Sequence, residues 1–142
     1  MDQIPDRIVS LLPAATEILY FLELEDRLVG VSSDCDWPES VRNLPSVSGT
    51  RIDDSKPSGS IDRQVREATH SGKSLYHVKP EQLKDLNPNL VITQEQCEVC
   101  APSFDDVRDS CRRLAGDPEV VSLEAETLGQ VLETILLIGE AT

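Results

Sequence analysis

The run Arg7-Ile8-Val9-Ser10-Leu11-Leu12-Pro13-Ala14-Ala15-Thr16-Glu17-Ile18-Leu19 constrains the fold more than any other stretch, because it holds a buried strand, a tight turn and a helix start in immediate succession. Ile8 to Leu12 is apolar without clean alternation, the pattern of a strand covered on both faces. Pro13 ends it, and Thr16 followed by Glu17, Ile18, Leu19, Phe21 and Leu22 gives a helix with one apolar face. In open parallel sheets ligands sit in the crevice outside the carboxyl ends of such strands, which makes the turn at Pro13 and Ala14 the first candidate binding element.

The same alternation recurs along the chain. Patterning predicts strands over 7–12, 28–32, 45–48, 74–77, 90–94 and 119–123, and helices over 14–23, 61–71, 80–86, 103–115 and 126–142. The expected fold class is therefore α/β: a doubly wound, mostly parallel sheet with helices on both faces, a three-layer αβα lobe. Pro13, Pro38 and Pro88 fall at predicted boundaries, as a residue that cannot donate to a ladder should. The stretch 49–60 is polar and rich in turn formers, hence a loop, and the segment from there to about Ser74 reads as an insertion carrying its own helix. At 142 residues, 39% of them apolar, the chain is about one domain with enough material for a real core.

Charge and hydropathy exclude several classes. The net charge is −13, from 26 acidic and 13 basic residues, and no Lys/Arg stripe is available to neutralise phosphates, so nucleic acid is not an expected partner. No stretch approaches the ~20 apolar residues of a membrane span, so the chain is not expected to be membrane-embedded. Met1-Asp2-Gln3-Ile4-Pro5-Asp6 has neither a basic n-region nor an apolar h-region.

Candidate binding residues are those just past predicted strand ends: Pro13, Ala14, Ser33, Trp37, Arg51, Gln94 and Glu95. Trp37 is the sole tryptophan and stands in Asp36-Trp37-Pro38-Glu39, a polar turn, where an indole offers a broad rigid wall to a flat ligand. Arg51 can face an anionic group or serve as a solvated loop charge. Cys97-Glu98-Val99-Cys100 lies between the strand ending near Gln94 and the helix beginning near Ser103. Three readings of that pair stay open: a redox or disulfide pair whose thiolate a helix start would favour, a metal site needing further ligands from Cys35, His70 or His77, or two small residues packing a loop. No metal site is otherwise expected. Neither His70 nor His77 pairs with a nucleophile, and no phosphate loop or nucleophile elbow occurs, so the chain is not expected to be an enzyme. Asp53, Asp54 and Asp62 cluster in sequence, and Asp62 reads as a helix-start cap or dipole partner.

The opening unit, continued by Leu28-Val29-Gly30-Val31-Ser32-Ser33-Asp34-Cys35-Asp36-Trp37-Pro38 and by Leu83-Lys84-Asp85-Leu86-Asn87-Pro88-Asn89-Leu90-Val91-Ile92, resembles the amino-terminal lobe of the periplasmic-binding-protein-like family that captures cobalamin and ferric siderophores for ABC transporters. The resemblance covers roughly residues 7 to 125 and is closest to the cobalamin-binding branch. It implies residues 1–125 as a ligand-binding lobe and 126–142 as the start of an interlobe helix, so that the chain looks like half of a two-lobed clamp. It implies a solute-binding role toward cobalamin or a ferric siderophore complex, with no other cofactor and an ABC transporter permease as partner. The protein is then expected to act as a monomer, in the periplasm or at the cell surface; the absent leader-like start leaves the cytoplasm open. Trp37 matches an aromatic between Asp and Pro in cobalamin-binding relatives, which also carry a similar Cys-x-x-Cys. Glu81, in Lys79-Pro80-Glu81-Gln82-Leu83, matches a carboxylate that docks on the transporter. The alternatives are a cytosolic thiol or metal-binding protein centred on Cys97 and Cys100, or an interaction module without a small ligand.

Overall fold

The computed structural model describes residues 4–95 and 101–142. In chain order these form β1 (Ile8–Ser10), α1 (Pro13–Phe21), β2 (Leu28–Val31), β3 (Ser48–Thr50), α2 (Ser58–His70), β4 (Tyr76–Val78), α3 (Pro80–Leu86), β5 (Leu90–Thr93), α4 (Phe104–Arg112), β6 (Glu119–Ser122) and α5 (Leu128–Ala141). The main sheet has the order β2-β1-β5-β6, and every pairing in it is parallel. The α/β class and the mostly parallel sheet are as the sequence predicts.

Alternation of side chains along the buried strands divides the core into two layers. Ile8, Leu90 and Ile92 pack toward α1 and α5 with Ala15, Leu19, Val41 and Ile138, whereas Val9 and Val91 pack the other way against Leu83, Val107 and Cys111 of α3 and α4. Fully burying each such aliphatic side chain contributes roughly 1.5–3 kcal/mol, which is why these short strands need no polar face. Gly30 in β2 has a packing reason: a Cβ there would lie 2.6 Å from Leu86 Cδ1 and 3.1 Å from Val47 Cγ1.

Local chemistry sets the helix ends. Pro13 occupies the first turn of α1, where its missing N–H costs nothing. Asn87 takes the left-handed conformation (φ 44°) that closes α3, and the Ser103 hydroxyl accepts from Asp106 N at 3.2 Å to open α4. Thr127 and Gln130 form a reciprocal capping box at the start of α5.

Three expectations are corrected. The strand predicted over 45–48 is a single parallel bridge between Val31 and Ser46, followed by β3 at Ser48–Thr50; Pro45 accepts from Val31 N but has no N–H to extend the ladder. β3 and β4 then form a separate antiparallel ribbon, because the inserted segment returns the chain to the end from which it left, with Thr50 opposite Tyr76. Helix α2 begins at Ser58, three residues earlier than predicted, so Asp62 is not a cap; it pairs with Arg66 one turn on, at 2.9 Å. Helix α5 packs back on α1, with Ile138 fully buried in the α1 layer and Arg27 Nη1 donating to the Thr142 carbonyl at 2.9 Å.

Candidate ligand-binding face

Chain order β1→β2 runs to one side of β1 and the chain later returns to its other side as β5, so the sheet has its topological switch point between β1 and β5. Leu11 N donates to Ile92 O at 2.9 Å and Leu123 N to Thr93 O at 2.8 Å, carrying the ladders to the very rim. The loops after the main-sheet strands hold Pro13 and Ala14 (β1), Ser33 (β2) and Gln94 and Glu95 (β5), while Arg51 follows β3 of the separate ribbon.

The floor of this crest is tied by buried hydroxyls. Thr16 donates to Ser10 Oγ (2.8 Å), Ser10 donates to the Leu12 carbonyl (3.0 Å), and the buried Cys35 thiol lies 3.2 Å from Thr16 Oγ1 and 3.3 Å from Ser32 Oγ. This network joins the turn after β1 to the loop after β2 and fixes the approach to Trp37. Ser33 N in turn donates to the buried Ser48 hydroxyl at 3.1 Å, binding the β2 loop to β3. No side chain caps α1, whose first-turn amides open at the same rim.

Trp37, joined to Pro38 by a cis peptide, is 65% exposed. It stands over an apolar groove of about 770 Å³ lined by Ala14, Glu17, Ile18, Phe21, Val131 and Ile135, between α1 and α5. Glu95 borders a second, acidic hollow with Glu124, Glu126 and Gln130, and Arg51 borders a third with His77, Asp106 and Arg113. Of the predicted residues, Ala14 and Trp37, Glu95, and Arg51 thus line three separate hollows, while Pro13, Ser33 and Gln94 line none of them. Cys97 and Cys100 lie outside the described residues. Asp53 serves its own loop, accepting from Ser55 N and facing Lys56 Nζ at 3.7 Å. Glu81 is exposed in the first turn of α3 behind Pro80. Among the described residues no group of three or more His, Cys, Asp or Glu is placed to hold a metal ion, and no helix is long and apolar enough to cross a membrane.

The sequence reading missed the groove wall on α5 and two buried hydroxyls, Thr93 and Ser122. These two are partners in register on β5 and β6, and neither hydroxyl has a hydrogen-bond partner among the described residues.

No family model matches the chain. It is 31% identical over 98 residues to a vitamin B12-binding protein of Vibrio vulnificus, covering 60% of this chain and 36% of the relative. It is 27% identical over 138 residues to the ABC transporter substrate-binding lipoprotein YvrC of Bacillus subtilis, covering 96% of this chain and 34% of the relative. The chain is therefore similar to part of the substrate-binding proteins of ABC transporters. It spans about a third of the length of these curated relatives. The fold agrees: the periplasmic vitamin B12 binding protein BtuF of Vibrio cholerae superposes with a TM-score of 0.66 at 22% identity, over 98% of this chain and 42% of that one. A possible iron-binding periplasmic protein of Staphylococcus epidermidis gives 0.67 at 22% identity, over 99% and 43%. These proteins are named for binding a substrate, vitamin B12 or iron, and they are described as periplasmic or as a lipoprotein.

Proposed function

We propose that the chain is one lobe of the solute-binding component of an ABC-type uptake system, and that its carboxyl-end face forms one wall against cobalamin or an iron-bearing macrocycle or chelate. The observation that carries this reading is the switch-point crest itself. Pro13, Ala14, Gln94 and Glu95 stand directly above the β1/β5 junction, with Ser33 and the exposed Trp37 tied to the same rim. The uncapped start of α1 offers amide donors to acceptor groups on a ligand's periphery, and the indole offers flat apolar surface to its ring. Relatives named for vitamin B12 and for haem support this ligand class. The bound molecule is cargo rather than a resident cofactor. A permease is the partner, Glu81 is a docking carboxylate, and the periplasm or cell surface is the place of action.

Because Trp37 is the sole tryptophan, its fluorescence reports on this face alone. Titration with cyanocobalamin, haemin and a ferric siderophore is expected to give saturable quenching by one of them, and Arg51→Ala or Gln94→Ala to weaken it. Only the linear loss expected from ligand absorbance, with all three, would remove the proposal.

A further inference from the structure

The charges of this chain are sorted along the strand direction. Over the eight residues that follow each strand of the main sheet, the described residues hold seven acids and no Lys, Arg or His: Glu17 after β1, Asp34, Asp36 and Glu39 after β2, Glu95 after β5, and Glu124 and Glu126 after β6. Over the stretch of up to eight residues that precedes each strand, the described residues hold six acids and five bases, namely Arg7, Arg27, Lys84, Arg112 and Arg113. All four strands run the same way, so the first set lies at their carboxyl ends and the second at their amino ends. The overall charge of −13 is therefore not spread evenly: acid and base nearly balance at one end of the sheet and acid stands alone at the other.

We propose that this acidic rim selects cargo by charge: the face accepts a neutral or cationic metal complex and turns away anionic ones, macrocycles with free carboxylates and catecholate chelates among them. The inference rests on the ligand wall proposed above and names the charge class of its cargo. Three observations carry it. First, none of the seven carboxylates forms an ion pair among the described residues; the pairs there join Lys56 to Asp53, Arg66 to Asp62, Arg108 to Asp105 and Arg112 to Asp109. Second, the acids border the surface a ligand would cover. Glu17 lines the groove beside Trp37, Asp36 directly precedes that indole, and Glu95, Glu124 and Glu126 share one hollow of about 520 Å³. Third, the two bases of the loop after β3 do not offset them. Lys56 faces Asp53 at 3.7 Å, and Arg51 borders a hollow that also holds Asp106 and Asp109. Unpaired charges of one sign around a cleft add their potentials instead of cancelling, so an anionic group brought to this rim meets like charge with no cation to receive it.

Ligand pairs that differ in charge and hardly in shape test this, read by Trp37 quenching of the 142-residue chain. Neutral cyanocobalamin is compared with its monocarboxylic acid, in which one peripheral amide is hydrolysed to a carboxylate. Ferrioxamine B is compared with its N-succinyl form, which exchanges a pendant ammonium for a carboxylate, and haemin, with two free propionates, is titrated beside them. In whichever pair binds, the more positive member is expected to bind tighter, by roughly tenfold per unit of ligand charge at ~0.01 M salt and by a few-fold at ~0.1 M, because the Debye length falls from about 30 to about 10 Å. Glu124→Gln combined with Glu126→Gln, both exposed, is expected to narrow that gap. Equal or tighter binding of the more anionic member, a gap indifferent to salt, or saturable quenching by haemin alone overturns the charge rule while leaving the wall in place. No saturable quenching by any of the five removes the wall itself, and the charge rule with it.

Discussion

Cys111 shows what burial does to a single ionisable side chain. It sits in the layer under α4 with Val9, Val91 and Val107, and burial first, then the nearby Asp117 carboxylate, pushes its thiol up to about 11. A pKa raised in the folded state means the folded protein holds this proton more tightly than the unfolded chain. The associated stability is present below the unfolded value of 9.0 and is lost as pH rises toward 11. At about 1.4 kcal/mol per unit the loss is on the order of 2–3 kcal/mol. Urea unfolding at pH 8 and above 10 is expected to show it, and Cys111→Ala, though less stable throughout, is expected to lose that part of the slope. Residue by residue, strand ends were legible: Pro13, Ser33, Arg51 and Gln94 follow β1, β2, β3 and β5. Thr93 and Ser122 were not, because their distinction is the missing hydrogen-bond partner, a property of packing that no window of sequence carries. Asp62 misled because an acid near a helix start and an acid one turn in look alike until the start itself is fixed.

At the scale of elements, periodicity and proline placed all five helices and most strands, because β1 and β5 are short apolar runs that no other structure satisfies. The ribbon of β3 and β4 escaped, since direction depends on where an insertion returns the chain and not on the residues within it. Helix α5 was legible as a helix but not in its role. Its apolar positions go nearly all round, so the sequence could not say which of Ile138 and Leu132 faces the core. Its start is held by the box of Thr127 and Gln130, in which Gln130 N donates to Thr127 Oγ1 at 3.3 Å and Thr127 N to Gln130 Oε1 at 2.9 Å. Thr127→Ala is expected to cost about 1 kcal/mol, read as a lower urea midpoint without a change in slope. Since α5 forms one wall of the groove beside Trp37, the same substitution is expected to raise amide exchange through 128–131 before anything else.

The whole molecule presents an open face, and openness sets its affinity. Drug-sized ligands are held tightly when about 70–90% of their surface is buried, and a single wall leaves the other side wet. Calorimetry on the isolated chain is therefore expected to give a Kd of about 10 µM or weaker, and a sub-micromolar value would contradict a one-walled site. The proposed docking role of Glu81 is separate from ligand affinity. Within a complete binding protein and its transporter, Glu81→Arg is expected to leave ligand affinity unchanged and to abolish uptake; normal uptake would reduce Glu81 to an acid favoured by the first turn of α3 by ~0.3–1 kcal/mol. The claim on which the account rests is that ligand meets the crest above the β1/β5 switch point, and amide chemical-shift mapping tests it most directly. On adding whichever of cyanocobalamin, haemin or ferric siderophore quenches Trp37, the account predicts progressive shifts confined to Ala14, Ser33, Trp37, Arg51, Gln94, Glu95 and their neighbours. Shifts centred on the amino-terminal ends of the strands, or along α4 and away from the rim, would contradict it.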